Sequence, residues 1–120
     1  MRRDVLLYLA GPLTPASGRS LELNVATALD VYWRCLRMGL PAFCPHLSGL
    51  CPTAFTIAYD TWLEYDYCII DRCTHLVRLP YWHESKGAAR EVVYARERGV
   101  RIIDVTDLES LAETAPVPEA

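Results

Sequence analysis

The run Val5-Leu-Leu-Tyr-Leu-Ala10, closed by Gly11-Pro12, constrains the fold more than any other stretch. A continuous apolar run has no polar face to offer water, so it reads as a strand covered on both sides, as in a parallel sheet. "THLVRLP" (74–80) and "VRIIDV" (100–105) have the same character, and Pro41-Ala-Phe-Cys44 is a shorter version. The segments between them carry helical spacing. Ser20 is a natural N-cap for a helix whose apolar positions are Leu21, Val25, Leu29, Tyr32 and Leu36, with Gly39 as its stop. "YDTWLEYDYCIIDRC" and "ESKGAAREVVYARERG" read as a second and a third helix, and "TDLESLAE", capped by Thr106, as a short fourth. A partial helix is expected after Pro52, inside the long loop "PHLSGLCPTAF".

The resulting order, β-α-β-α-β-α-β-α, predicts an α/β protein. It is a three-layer α/β/α sandwich with a mainly parallel sheet of four to five strands, flavodoxin-like or Rossmann-like. One domain over residues 1–113 and a flexible tail over 114–120 complete the expectation. The chain has 120 residues and a net charge of −3, which excludes a nucleic-acid scaffold held by bulk charge but not a small anionic ligand. Val5 to Ala10 is too short for a secretory leader, and no apolar run approaches a membrane span, so no membrane partner and a cytoplasmic location are expected. Five cysteines are an odd number for a disulfide framework. Two Cys/His groupings, Cys44-His46-Cys51 and Cys68-Cys73-His75, lack paired C-x-x-C spacing. Reduced, mostly buried thiols are expected there rather than zinc.

In such sheets ligands bind beyond the carboxyl ends of the strands, where strand order reverses. Here those ends are "YLAGPLTP", "CPHL" and "LPYWHESKG". In the helix after the third strand, Ala88, Val92, Ala95 and Gly99 form the apolar stripe, and Glu91 falls on its shoulder, toward the sheet. A carboxylate there is a candidate catalytic group, although a helix-edge glutamate paired with Arg90 or Arg98 fits the same pattern. Ser85 and Gly87 suit an anion cradle at the helix start, or plain capping. Tyr8 lies in a buried strand and needs a partner for its hydroxyl, either a backbone carbonyl or a catalytic carboxylate. Asp66 sits four residues after Trp62 in an apolar helical stretch, and its pattern alone favours a solvated charge.

Taken together, "YLAGPLT", "DTWLEYD" and "LPYWHESKGAAREVVYARERGVRI" resemble, in order and spacing, the nucleoside 2-deoxyribosyltransferase superfamily. The resemblance spans roughly Val5 to Ile103 and is closest to small bacterial and phage members. It extends more distantly to nucleotide N-glycosidases. Its most specific part is Ser-x-Gly-x-x-x-Glu after a strand, here Ser85, Gly87 and Glu91. The resemblance implies that Glu91 is the nucleophile at the anomeric carbon. It implies that Tyr8 holds that carboxylate and that Asp66 acts near the base. It further implies that the loop from Gly11 and Pro12 to Arg19, together with Ser85 and Gly87, holds the sugar or its 5′ group. Trp62 or Trp82 would stack on the base. The chain departs from the family before the third strand, where Cys73-Thr74 replaces a common Asp, and after Gly11, where Arg19 is the sole candidate phosphate grip.

The implied activity is cleavage or transfer at the N-glycosidic bond of a (deoxy)nucleoside or nucleoside 5′-monophosphate. It needs no metal or organic cofactor, and it is expected in a homodimer or larger homo-oligomer. Two other uses of the same residues stay open: an NAD-glycohydrolase-like enzyme, and a nucleotide-binding module without turnover.

Overall fold

The computed structural model describes residues 1–15, 18–50 and 53–114, without the side chain of Phe55. Four strands form its sheet: β1 (Leu7–Ala10), β2 (Ala42–Phe43), β3 (His75–Arg78) and β4 (Arg101–Asp104). Four helices connect and follow them: α1 (Leu21–Arg37), α2 (Tyr59–Ile70), α3 (Lys86–Glu97) and α4 (Leu108–Glu113). All strand pairs are parallel, in the order β2-β1-β3-β4, so the expected α/β sandwich is observed with four strands. The registers that matter for the site are Tyr8 opposite Leu76 and Ala10 opposite Arg78.

Every residue of β1 is buried, as its unbroken apolar run requires. Alternation sends Leu7 and Leu9 to one face, where they pack with Ala28, Val31 and Cys35 of α1 and Leu108 of α4. Tyr8 and Ala10 go to the other face, with Ile70 of α2 and Val92 and Ala95 of α3. Full burial of each large apolar side chain contributes about 1.5–3 kcal/mol. Two helices per face therefore close the three layers. The chain leaves β2 through α2, passes β1, and enters β3 on its far side. Strand order thus reverses between β1 and β3, and a crevice opens beyond their carboxyl ends.

Helix ends follow the expected chemistry with one correction. Ser20 accepts a hydrogen bond from the Leu23 amide at the start of α1, and Gly39 takes a positive φ of 73° after its end. At the last helix, Thr106 is not the cap. Asp104 and Asp107 form a reciprocal capping box around a 3-10 turn, Val105–Asp107, that leads into α4. The stretch expected to be mostly loop after β2 winds into a 3-10 helix, Pro45–Leu50, and a second turn, Ala54–Thr56, supplies the expected partial helix. Of the expected tail, residues 115–120 lie outside the described residues, as does Cys51. Among the described residues no helix is long and apolar enough to cross a membrane.

Candidate active site

Glu91 sits in the second turn of α3, on the side that buries Ala88, Val92 and Ala95, and is only 6% exposed. Its partner is neither Arg90 nor Arg98. The Tyr8 hydroxyl, rising from β1, donates to Glu91 Oε2 at 2.5 Å. Tyr8 meets Glu91 because β1 and β3 are neighbours and α3 returns over the face of β1 that carries Tyr8. Asp66 lines the same cavity from α2, close enough for its charge to act on Glu91 and Tyr8. Its Oδ1 is buried with no hydrogen-bond partner among the described residues.

The electrostatics follow from burial. Desolvation, reinforced by the charge of Asp66, pushes the Glu91 carboxyl well above the usual glutamate range of about 4.5. Desolvation also raises Asp66. A charged Asp66 opposes ionisation of Glu91, so the two carboxyls titrate as a pair rather than singly. The Tyr8 phenol is pushed well up by burial and by the Glu91 charge, so it stays protonated and remains a donor. Its hydrogen bond opposes part of the rise at Glu91, because a phenol donor favours the charged carboxylate.

Glu91 and Asp66 line a cavity of about 650 Å³ in the crevice beyond β1 and β3, within the usual range for small-molecule sites. Of the sequence-predicted residues, Gly11, Pro12, Arg19, Trp62, Ser85 and Gly87 also line it, and Tyr8 lies beneath it. Ser85 caps α3, accepting from the Ala88 amide at 3.2 Å. A side chain at Gly87 would reach within 3.3 Å of the Tyr59 hydroxyl, so its absence keeps this wall open. The indole of Trp62 donates to the Ala54 carbonyl at 2.8 Å, which fixes one aromatic wall.

Trp82 is a correction. It lies outside the cavity, packed against the α2/α3 side of the sheet. The backbone turns through Tyr81 at φ 65° into a 3-10 turn, and the ring of Trp82 faces the guanidinium of Arg78 at 5.0 Å. Arg78 is itself held by a bidentate pair with Asp104, so the aromatic cover is spent on β3 and β4. Tyr59 takes the place on the cavity wall.

Two supporting residues escaped sequence reasoning. His46, 2% exposed, spans the Gly11 and Pro12 carbonyls with Nε2 at 3.1 Å from each and so ties the loop after β1 to the loop after β2. Burial lowers its pKa, so it is neutral, with the proton on Nε2. Asn24, also 2% exposed, donates to the Leu13 carbonyl and accepts from Arg19 Nε. Arg19 donates further to Thr27 and stacks over Tyr81 at 4.1 Å. The signal for Asn24 was present, since it sits on the apolar stripe of α1 between Leu21 and Ala28. His46 carried no comparable signal in a loop without periodicity.

Of the Cys/His groupings, Cys68, Cys73 and His75 bond separately or stay exposed, while Cys44 and His46 touch and Cys51 lies outside the described residues. Cys44 Sγ lies 3.8 Å from His46 Nδ1, Cys73 bonds the Ile69 carbonyl, His75 bonds Thr74, and Cys68 is exposed. Among the described residues, no three His, Cys, Asp or Glu side chains are grouped as metal ligands.

Residues 5–104 match a protein family described as Domain of unknown function (DUF4406). No curated protein matches the chain.

Proposed function

The chain belongs to the DUF4406 family, and we propose that it cleaves or transfers at the N-glycosidic bond of a (deoxy)nucleoside or nucleoside 5′-monophosphate, with Glu91 as nucleophile. The observation that carries this reading is the Tyr8 hydroxyl bonded to Glu91, with Asp66 beside it, on the wall of a ligand-sized cavity. The Glu91 carboxylate attacks C1′ as the bond from C1′ to the base nitrogen breaks. The bonding electrons leave with the base, and Asp66 supplies the proton that the base takes up. Water or a second base then attacks C1′, Glu91 departs, and the proton released returns to Asp66. Two carboxyls that titrate as a pair suit this exchange, as in retaining glycosidases.

Tyr8 holds Glu91 toward the anomeric carbon. Trp62 and Tyr59 supply aromatic walls for a base, and Ser85, Gly87 and Arg19 supply donors for the sugar or a 5′ phosphate. A homodimer or larger homo-oligomer fits the exposed Leu50, Ile57 and Tyr59 beside the cavity. A cytoplasmic location fits a substrate of this class.

The test is incubation with a panel of nucleosides and 5′-monophosphates, with chromatography of free base. The wild type should release base, and Glu91→Ala should lose at least about a thousandfold in rate. Equal release by both proteins removes Glu91 from the reaction. Nicotinamide release from NAD without turnover of any nucleoside moves the substrate class. Tight nucleotide binding with no release in either protein replaces the enzyme with a binding module.

A further inference from the structure

Asp66 and Glu91 belong to different helices, so their relation is set by how α2 lies on α3. The hold of α2 on the rest of the fold is thin. Ile70 alone among its residues is fully buried, and its N-cap position, Ala58, offers no side-chain acceptor. One residue after Asp66 and three after Glu91, however, the rings of Tyr67 and Tyr94 stack face to face, with centroids 4.0 Å apart and planes 10° from parallel. Just beyond the stack, Asp71 at the end of α2 accepts from the Tyr94 hydroxyl at 2.7 Å and from Arg98 Nε at 3.0 Å. At the other end of the helix pair, Arg90 lies over the Tyr59 ring at 5.8 Å. Contacts thus ascend together along both helices.

The outer position of this network makes it informative. Asp71 and Arg98 are exposed, and a surface ion pair of this kind adds little to global stability. A face-to-face aromatic stack does fix geometry, because sliding either helix by one residue displaces the rings. We infer that the Tyr67–Tyr94 stack and its Asp71–Arg98 bridge form a positioning clamp that sets the distance between Asp66 and Glu91. Tyr67, Asp71, Tyr94 and Arg98 are then positioning residues that act through the two carboxyls. The inference rests on the reading of that pair as the reacting groups. The other groups facing Glu91 are Tyr8 from β1 and Tyr67 from α2, with Arg90 next to it on α3. Arg19, Glu84 and Lys86 lie around the cavity.

The experiment is carbon-detected NMR of the Asp and Glu side-chain carboxyls in the whole chain, titrated across about five pH units. In the wild type, Asp66 and Glu91 should titrate as a coupled pair in two well-separated steps. Tyr94→Phe keeps the stack and should keep that separation. Tyr94→Leu and Tyr67→Leu remove the stack from either side and should lose it, the two steps merging. A folded Tyr94→Leu or Tyr67→Leu protein with unchanged steps overturns the clamp. If neither folds, Asp71→Asn at its exposed position decides in the same way: narrowed steps support the clamp and unchanged steps refute it. The titration needs no substrate, so it stands apart from the base-release assay. No base release in any protein removes the proposed reaction and leaves the titration to judge the geometry. Base release with unchanged steps removes the clamp alone. Where base is released, its pH–rate profile should narrow in Tyr94→Leu, a change that simple loss of stability does not produce.

Discussion

Glu91 is buried among Ala88, Val92 and Ala95, with a second carboxyl against it, and the fold is less stable for carrying it charged. Its folded pKa lies above the ordinary 4.5, so the protonated form is the one that folding favours. The stability linked to that proton is complete below about pH 4.5 and is lost as pH rises through the raised value. Glu91→Gln keeps the shape and an acceptor for the Tyr8 hydroxyl but removes the charge. Its melting temperature should exceed that of the wild type at pH 8, and the two should converge below about pH 4.5. A variant less stable than wild type at pH 8 contradicts this account. His46 works in the opposite sense. Its pKa is lowered by burial from 6.5, so its contribution is complete above that value and is lost as pH falls. His46→Asn should therefore flatten the acid side of the melting profile, on top of a loss at every pH from the carbonyl bonds it gives up.

Among the elements, the turn from β1 into the cavity loop is built on a close approach. A Cβ at Gly11 would lie 2.7 Å from the Cβ of Leu79, just past β3. The absent side chain serves packing first, although Gly11 also lines the cavity. Gly11→Ala should cost about 1–3 kcal/mol in denaturant unfolding, the usual range for overpacking. Leu79→Ala should not rescue it, because the nearest atom is the Cβ that alanine keeps. Recovery in the double variant would show that the longer Leu79 side chain is the obstacle instead. The strands, the four helices and most caps were legible in the sequence, because apolar period and capping chemistry are local. The 3-10 helix over Pro45–Leu50 was not, since a short irregular helix has no period to read. The carboxylate of Glu91 and the phenol of Tyr8 could be read from their helix stripe and strand, and the resemblance added Asp66. The resemblance also paired Tyr8 with Glu91, as observed, but the meetings that support them could not be read. The Asn24–Arg19 bond and the Tyr67–Tyr94 stack join side chains that only tertiary packing brings together. Trp82 shows the same limit, for nothing in "LPYWHE" says that Tyr81 adopts a left-handed conformation and turns the indole onto Arg78.

At the scale of the molecule, the two faces of the sheet are not equally secured. On one side, α1 buries Val25, Ala28, Val31 and Cys35 and is capped by Ser20. There Arg2 also donates to the Leu111 and Thr114 carbonyls and ties the start of the chain to α4. On the other side, α2 has one fully buried residue and no side-chain cap, yet it carries Asp66 and Trp62. Local opening follows such differences in burial, and segments that bind ligands are drawn from the less stable end. Amide hydrogen exchange should therefore be about tenfold faster across 59–70 than across 21–37, a gap of about 1.4 kcal/mol in opening free energy. β1 and β3, enclosed on both faces, should exchange slowest. A nucleoside 5′-monophosphate at saturating concentration, offered to Glu91→Gln so that no turnover intervenes, should slow exchange in 59–70 and leave 21–37 nearly unchanged. The asymmetry arises because cavity binding stabilises only states in which α2 is docked. Protection spread evenly over both helices, or confined to α1, would mean that the ligand does not sit between α2 and α3.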